Sequence, residues 1–540
     1  MAGLAATLGR GAMSNPLADM DKPDVIFCIG TNMTEAHPVA ATRLKQAQAK
    51  GAILIVADPR HIPLARRADL HLQLQVGTDV ALLGAMAHVI AERGLMDEAF
   101  IAERTEGWDD LREHLKSFTP QWAEEITGVP AALIERAAVL FAQADRGAIY
   151  YTLGITEHIS GVDNVQSLSN LALMTGNLGR EGTGINPMRG QNNIQGAGDC
   201  GALPSSYPGF QPVSDPAMQA KFEEAWGTKV DLEPGMTKVR ALEHAGEKIY
   251  AMLICGENTL VSDPDKSHCE RALERLDHLV VIDIFKTETA ELADVILPAS
   301  AWAETDGVFT NTERRPQRVR AAVSAQGQAR PDWWILAEIS KRLGSDRFEY
   351  NSAAEVFNEF CSLSPLYAGL DWDRIDGGGY QWPVPAADHP GTPMLHVDEF
   401  PRGKGLFKTP SYRDPAEVVS EEFPVWLTTG RRLEHYHTRT MSGRSTGTEY
   451  LVPEETLEVH PADVQAWGLK HGGMARMSSP RGSVLVRVAS DDTSPPGTVF
   501  CSFSFSDVPV NILTGSGYDP ITDTAELKVC PVRIEPAPDN

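Results

Sequence analysis

Residues Asp24 to Gly30 read DVIFCIG, a continuous apolar run of strand length. A helical pattern from Val39 to Lys50 follows and stops at Gly51, and Ala52 to Ala57 is a second apolar strand. Strands that are apolar on both faces belong inside parallel sheets covered by helices, so this strand, helix, strand unit predicts an α/β fold. It ends on Asp58-Pro59-Arg60. An acid therefore sits at the carboxyl end of a parallel strand, where open α/β sheets bind ligands and where such a group commonly holds a ribose.

The same grammar continues. Leu70 to Leu74 reads as a short strand, Thr78 and Asp79 as the cap of a helix to about Arg93, and Pro130 as a first-turn residue of a helix to about Ala144. A strand Ala148 to Leu153 and a helix ending near Gly176 follow. From Arg180 to Pro208 apolar periodicity vanishes and glycines accumulate, predicting a long loop, which inside a compact domain is usually functional or disordered. A second α/β set has strands at Lys248 to Cys255 and His278 to Asp283 with a helix between, a short strand Asp294 to Leu297, and a helix Asp332 to Leu343. Residues 364–422, rich in Pro, Gly and charge, read as a surface connection. Six short strands then predict a small β-barrel with a single helix at Pro461 to Gly468: Pro424 to Thr429, Thr456 to Val459, Met474 to Ser478, Ser483 to Ala489, Thr498 to Phe505 and Ala525 to Glu535. The expected domains are 1–190, 191–363, the connection 364–422, and 423–540.

Composition removes several classes. With 48 Lys plus Arg against 73 Asp plus Glu, the formal charge of −25 disfavours nucleic acid and anionic membranes. No run of 18 apolar residues predicts a membrane span. The first 22 residues lack the h-region and cleavage site of a signal peptide. Seven cysteines, none in a CxxC pair, give neither a disulfide framework nor an iron–sulphur or zinc spacing, and most are expected to be small buried apolar residues. Gly196, Gly198 and Gly201 fit G-x-G-x-x-G but neither follow a strand nor open a helix in the expected pattern. His435 and His437 would share a face if HYH were a strand, and a polar site lining is the better reading than a metal. Nucleophile-elbow, zinc-peptidase and P-loop motifs are absent.

The remaining signal is Asn186 to Gly196, NPMRGQNNIQG, where one guanidinium is surrounded by amides and glycines. Such a loop can wrap a polar heterocycle while Arg189 presents a planar fork to a carboxylate; an ordinary solvated loop is the plain alternative.

The segment MRGQNNIQGAGDCGALP resembles the loop of molybdopterin-dependent formate dehydrogenases that passes under the metal. AGLAATLGRGAMSN, IGTNMTEAHPV, VADPR, LALMTGNLGREGTGINP, VIDIFKTETAELADVILPAS and DPITDTAELKVCPVRIEP resemble the same family in the same order, so the similarity spans essentially the whole chain. The resemblance implies a catalytic (alpha) subunit with two Rossmann-like α/β domains sandwiching a bis-(molybdopterin guanine dinucleotide) cofactor of molybdenum or tungsten, capped by a six-stranded barrel. By that resemblance, Gly30, Asn32, Asp58, Arg60, Gly77 and Asp79 hold one guanosine end, and Gly256, Glu257, Asn258, Asp283 and Thr287 the other. Thr429, Arg431, His435, His437, Ser479, Asn511 and Lys528 surround the pterins, and Arg189 with Gln191 orients formate. No metal-ligating residue is assigned within the chain.

The resemblance also puts the family's metal-ligating selenocysteine or cysteine, its 4Fe-4S domain and the first half of the second cofactor domain upstream of Met1. A valine codon read as an initiator below a selenocysteine codon read as a stop would account for that start; a cysteine-type enzyme cut by incomplete sequence and a split gene or pseudogene are the rival accounts. The chain alone is accordingly expected to be inactive. The implied partners are formate and electron-transfer subunits, iron–sulphur or flavin and NAD-linked, in the cytoplasm. A nitrate-type molybdopterin enzyme and a non-catalytic cofactor-binding scaffold are the alternatives.

Overall fold

The first apolar run forms strand β1 (Val25–Ile29) of a five-stranded sheet in the computed structural model, which describes residues 1–345 and 347–538. With β2 (Ile53–Ala57), β3 (Leu70–Leu72), β4 (Gly147–Tyr151) and β5 (Gly184–Pro187), the order is β3-β2-β1-β4-β5 and every pairing is parallel. Helices α1 (Ala2–Leu8), α2 (Pro38–Ala49), α3 (Asp79–Glu92), α4 (Ala131–Ala142) and α5 (Gly161–Met174) supply its cover. Side chains alternate along a strand, so β1 feeds two cores. Val25, Phe27 and Ile29 pack in one cluster with residues of α1, α3, α4 and α5, with Phe27 edge-on to Phe141 at 6.2 Å. Ile26 and Cys28 pack in another with Ala41 and Leu44 of α2. All five residues of β1 are buried, and each large one stabilises the fold by about 1.5–3 kcal/mol.

The segment expected to be a loop from Arg180 to Pro208 is structured in part. β5 has one large aliphatic side chain, Ile185, yet all four of its residues are buried. Its outer edge is closed by Ser14, whose N–H donates to Ile185 O at 3.2 Å and whose Oγ accepts from Ile185 N–H at 3.0 Å. Ile194–Asp199 is a six-residue helix, α6, so Gly196 and Gly198 lie inside a helix rather than in a phosphate-binding turn. Two caps also differ from expectation. Thr78 precedes α3 but its Oγ1 donates back to Gln75 O at 2.7 Å, and Pro130 lies one position before α4 rather than in its first turn.

Two compact units emerge. One comprises Met1–Met188, Val261–Cys269 and the chain from Met394 on; the other comprises Arg189–Leu260 and Glu270–Pro393. The residues of the 364–422 connection are thus divided between them at 393/394. In the second unit, β6 (Ala251–Cys255), β7 (His278–Asp283) and β8 (Val295–Pro298) form a parallel sheet of order β8-β7-β6. An antiparallel hairpin of β9 (Gly307–Thr310) and β10 (Pro316–Val319) follows. Ile282 of β7 packs with Ile335 and Ile339 of the helix Asp332–Arg342.

In the first unit, β11 (Val425–Gly430), β12 (Thr456–Val459), β13 (Met474–Ser479), β14 (Gly482–Ser490), β15 (Thr498–Ser502) and β16 (Cys530–Pro536) close a barrel in the order β11-β15-β12-β14-β13-β16. Here burial alternates. Val484, Val486 and Val488 of β14 are buried in the barrel core while Ser483 and Leu485 are exposed. The α/β class and six-stranded barrel expected from sequence are borne out; the expected single barrel helix is joined by a second, Thr446–Leu451. None of the seven cysteines is in a disulfide, and five are buried. Among the described residues no helix is long and apolar enough to cross a membrane.

Candidate functional site

The two parallel sheets end in the same kind of joint. β1 passes into Gly30 (φ +53°), whose N–H donates to Ala57 O at 3.0 Å; β6 passes into Gly256 (φ +65°), whose N–H donates to Ile282 O at 2.8 Å. Beside each glycine lies an acid at the carboxyl end of the neighbouring strand, Asp58 just past β2 and Asp283 the last residue of β7. Asp58 Oδ1 accepts from Arg60 N–H at 2.9 Å, and Asp283 Oδ1 accepts from Phe285 N–H at 3.1 Å. At the other end of each sheet, Asp69 Oδ2 accepts from Leu54 N–H at 2.8 Å and Asp294 Oδ2 from Leu279 N–H at 2.7 Å. Only glycine fits at the first joint: a Cβ on Gly30 would lie 2.6 Å from the Ile155 nitrogen.

Around the first joint the charges are strongly desolvated. Burial pushes the Asp58 carboxyl up to about 6, against the Arg60 N–H bond that favours its charged form. Asp79, the first residue of α3, is pushed up to about 7 by burial, with the Asp58 charge adding to the shift. His158 approaches Asp79 at 4.0 Å and Glu526 at 3.9 Å, yet burial drives it down to about 4. Its Nε2 lies 2.8 Å from Gly154 O, which puts the proton on that nitrogen and leaves buried Nδ1 without a partner. Thr31 Oγ1, next to Gly30, is likewise buried and unpartnered. Asn32 is half-buried and accepts from Thr34 Oγ1 at 2.7 Å. Gly77 (φ +79°) has the Pro415 ring where a Cβ would stand. The Arg60 guanidinium is engaged by the barrel: it pairs with Glu458 and lies 3.6 Å over the Phe500 ring.

The barrel residues fall into separate places. Lys528 Nζ donates to Thr429 O at 3.1 Å and pairs with Glu157 at 2.8 Å; Glu157 also lies close enough to raise Arg431 against the lowering effect of burial. Ser479 Oγ accepts from Arg481 N–H at the β13–β14 turn, at 3.3 Å. Asn511 donates to Val261 O at 2.9 Å and Ser262 O at 3.0 Å, leaving its Oδ1 buried and unpartnered. The HYH segment is not a strand. His435 uses both ring nitrogens, at 3.1 Å from Ser442 Oγ and 2.6 Å from Val452 O, and packs edge-on to Phe505, while His437 (φ +51°) packs on Phe503.

In the second unit, Glu257 pairs with Lys238 at 2.5 Å. Asn258 donates to Glu288 at 2.7 Å and accepts from Thr289 Oγ1 at 2.9 Å, and Thr287 Oγ1 accepts from Ala290 N–H at 3.2 Å as the cap of Glu288–Glu291. Arg189 N–H donates to Thr312 Oγ1 at 3.0 Å, and its guanidinium donates to Gln195 Oε1; Gln191 is half-buried.

Residues 5–342 match the molybdopterin oxidoreductase family and residues 425–531 the molydopterin dinucleotide binding domain. The chain belongs to the molybdopterin oxidoreductase family. It is 44% identical over 536 residues to F420-dependent formate dehydrogenase 1 subunit alpha of Methanococcus maripaludis, covering 99% of this chain and 79% of that one. It is 39% identical over 550 residues to formate dehydrogenase H of Escherichia coli, covering 100% and 76%. Acetylene hydratase from Pelobacter acetylenicus shares the fold of this oxidoreductase, with a TM-score of 0.80 at 22% identity over 99% of this chain and 80% of the other. Sequence reasoning about the oxidoreductase missed Thr31, Glu157, His158, Gln195 and Asp199. Only the last pair left a signal, an amide and an acid four apart just after Arg189.

Proposed function

We propose that this oxidoreductase oxidises formate to carbon dioxide at a bis-(molybdopterin guanine dinucleotide) centre, releasing one proton and two electrons. The observation that carries the reading is the identity of 44% over 99% of the chain to a subunit named as a formate dehydrogenase. The duplicated joint supports two dinucleotide arms, one for each glycine-and-acid strand end.

The residues at the first joint fit such a group. Desolvated carboxylates suit the donor edge of guanine or ribose hydroxyls, and Asp58, Asp79 and the unpartnered Thr31 hydroxyl offer that acceptor set. Gly30, Asn32, Asp58, Arg60, Gly77 and Asp79 would hold one guanosine end. Gly256, Glu257, Asn258, Asp283 and Thr287 would hold the other, with Asn258 and Thr287 acting through their backbone because their side chains already brace the loop. Thr429, Arg431, His435, His437, Ser479, Asn511 and Lys528 would border the pterins. When bound, the cofactor supplies the two-electron chemistry, with molybdenum or tungsten as its metal.

Arg189 would pair with the formate carboxylate through its planar fork, with Gln191 beside it. Partner subunits, which the alpha-subunit names of the relatives support, would take the electrons, by way of iron–sulphur clusters. The proposed setting is the cytoplasm. The test is formate-dependent dye reduction by the cofactor-loaded holoenzyme, with metal analysis and with NAD or F420 supplied as acceptor. Arg189→Ala is expected to lower kcat/KM for formate by about 100-fold, roughly 2.7 kcal/mol, and Arg189→Lys to restore it only in part. Unchanged formate kinetics in Arg189→Ala, or reduction of nitrate with no turnover of formate, overturns the reading.

A further inference from the structure

Arg189 is braced by a buried relay. Its Nε–H and one terminal N–H donate to Gln195 Oε1 at 3.3 and 3.2 Å, and Gln195 Nε2 donates to Asp199 Oδ1 at 2.8 Å, one turn along α6. The second carboxylate oxygen of Asp199 accepts from the Tyr367 hydroxyl and, at 2.7 Å, from the Trp382 indole N–H. The Tyr367 hydroxyl in turn lies 3.0 Å from Thr310 Oγ1. Gln195, Asp199, Tyr367 and Trp382 are all almost fully buried.

A guanidinium can only donate and an ionised carboxylate can only accept. The amide between them therefore has one orientation, oxygen toward Arg189 and nitrogen toward Asp199. Burying a carboxylate is unfavourable, and the Asp199 carboxyl is accordingly pushed up to about 6 although Tyr367, Gln195, Trp382 and Arg189 all favour its charged form. A six-residue helix with two glycines depends on tertiary bonds for its order, and the Tyr367 and Trp382 bonds to Asp199 anchor it. The carboxylate also determines which way the Gln195 amide points.

We propose that Gln195 and Asp199 are positioning residues for Arg189: the buried carboxylate orients the amide, and the amide fixes the plane of the guanidinium that receives the substrate carboxylate. This rests on the assignment of Arg189 to substrate binding made above.

The chemistry of the relay supplies its own test. In Asp199→Asn, the new amide oxygen is retained by Tyr367 and Trp382, so its NH2 faces Gln195. The Gln195 amide must then turn over and present N–H groups to Arg189. In the double variant Gln195→Glu with Asp199→Asn, the new carboxylate accepts from the introduced amide NH2 with one oxygen and from Arg189 with the other, at the same buried charge and nearly the same shape.

Steady-state formate kinetics of the cofactor-loaded holoenzyme should show KM raised about tenfold in Asp199→Asn, with a smaller change in kcat. The double variant should return to within about threefold of the native KM. Gln195→Met, which keeps the side-chain length and removes the acceptor, serves if Asp199→Asn does not fold, and should raise KM alike at a nearly unchanged Tm. A KM within twofold of native in Asp199→Asn or Gln195→Met overturns the proposal, as does a folded double variant no better than Asp199→Asn. Arg189→Ala measured alongside separates the two ideas. If it raises KM and the relay variants do not, only the relay falls; if it leaves KM unchanged, the substrate reading falls and the relay with it.

Discussion

The sheet on β1 and the sheet on β6 share a sequence of contacts, position for position. Gly30 corresponds to Gly256, Asp58 to Asp283 and Asp69 to Asp294, each with the same backbone partner relative to its strand. They differ in cover. Three residues before its glycine, the first sheet has Phe27, fully buried, and the second has Leu253, 41% exposed. Val295 and Ile296 of β8 are also exposed, while Ile282 on β7 is packed on Ile335 and Ile339. Three strands therefore suffice to build the joint, because its hydrogen bonds are local to two loops and one strand pair. They do not suffice to bury the strands, because that requires helices on both faces.

The largest effect expected from this contrast is at Phe27. Phe27→Ala removes a ring packed among α1, α3, α4 and α5 and should cost about 3–5 kcal/mol. Hydrogen exchange of the β1 amides against urea would measure it, following the unit that contains β1 rather than a global transition. A cost below about 1 kcal/mol would mean that the cover on β1 contributes no more than surface packing does.

Asp79 is the next sharpest difference, since no helix opens on a buried acid directly after β8. Its carboxyl is raised above the unfolded value of 3.8 to about 7. The folded chain therefore binds a proton more tightly than the unfolded one. Stability from this group is full below about pH 4 and lost as pH rises through 7. Asp79→Asn, which cannot ionise, should stabilise the cofactor-free polypeptide by on the order of 2 kcal/mol at pH 8 and by little at pH 4.5, read as the difference in urea midpoint from the native chain at each pH. If Asp79 holds the guanosine end as proposed, metal retained by the holo form should fall in the same variant, a trade between stability and function. A gain that does not grow with pH would mean that Asp79 is not the titrating group.

The strands of both sheets were legible because VIFCI, ILIVA, AMLIC and HLVVID are apolar runs with breaks at Gly or Asp. The barrel strands were legible for the opposite reason, alternation, as in β14. β5 was not, because its burial comes from Ser14 closing the sheet edge rather than from apolar side chains of its own. The helix Pro216–Trp226 did carry readable signals, an Asp215 cap, a proline at its start and Gly227 at its end, in a stretch where no element was predicted. For the candidate site, the chain positions of Arg189, Asp58 and Asp283 were readable from strand ends and loop composition. The relay behind Arg189 was not, since Tyr367 and Trp382 lie 168 and 183 residues downstream of Asp199 and only burial unites them.

The smallest expected effect is at Leu253, the counterpart of Phe27. Leu253→Ala removes side-chain surface that solvent already reaches, so stability of this chain should change by no more than about 0.5 kcal/mol. The same variant measured in the assembled holoenzyme completes the comparison. A cost that stays near zero there means that β6 works with one face open, and that its apolar residue types serve strand formation alone. A cost that climbs toward the roughly 2–5 kcal/mol of a buried Leu→Ala means that another part of the assembly covers this face, and that the two sheets become equivalent in cover as they already are at the joint.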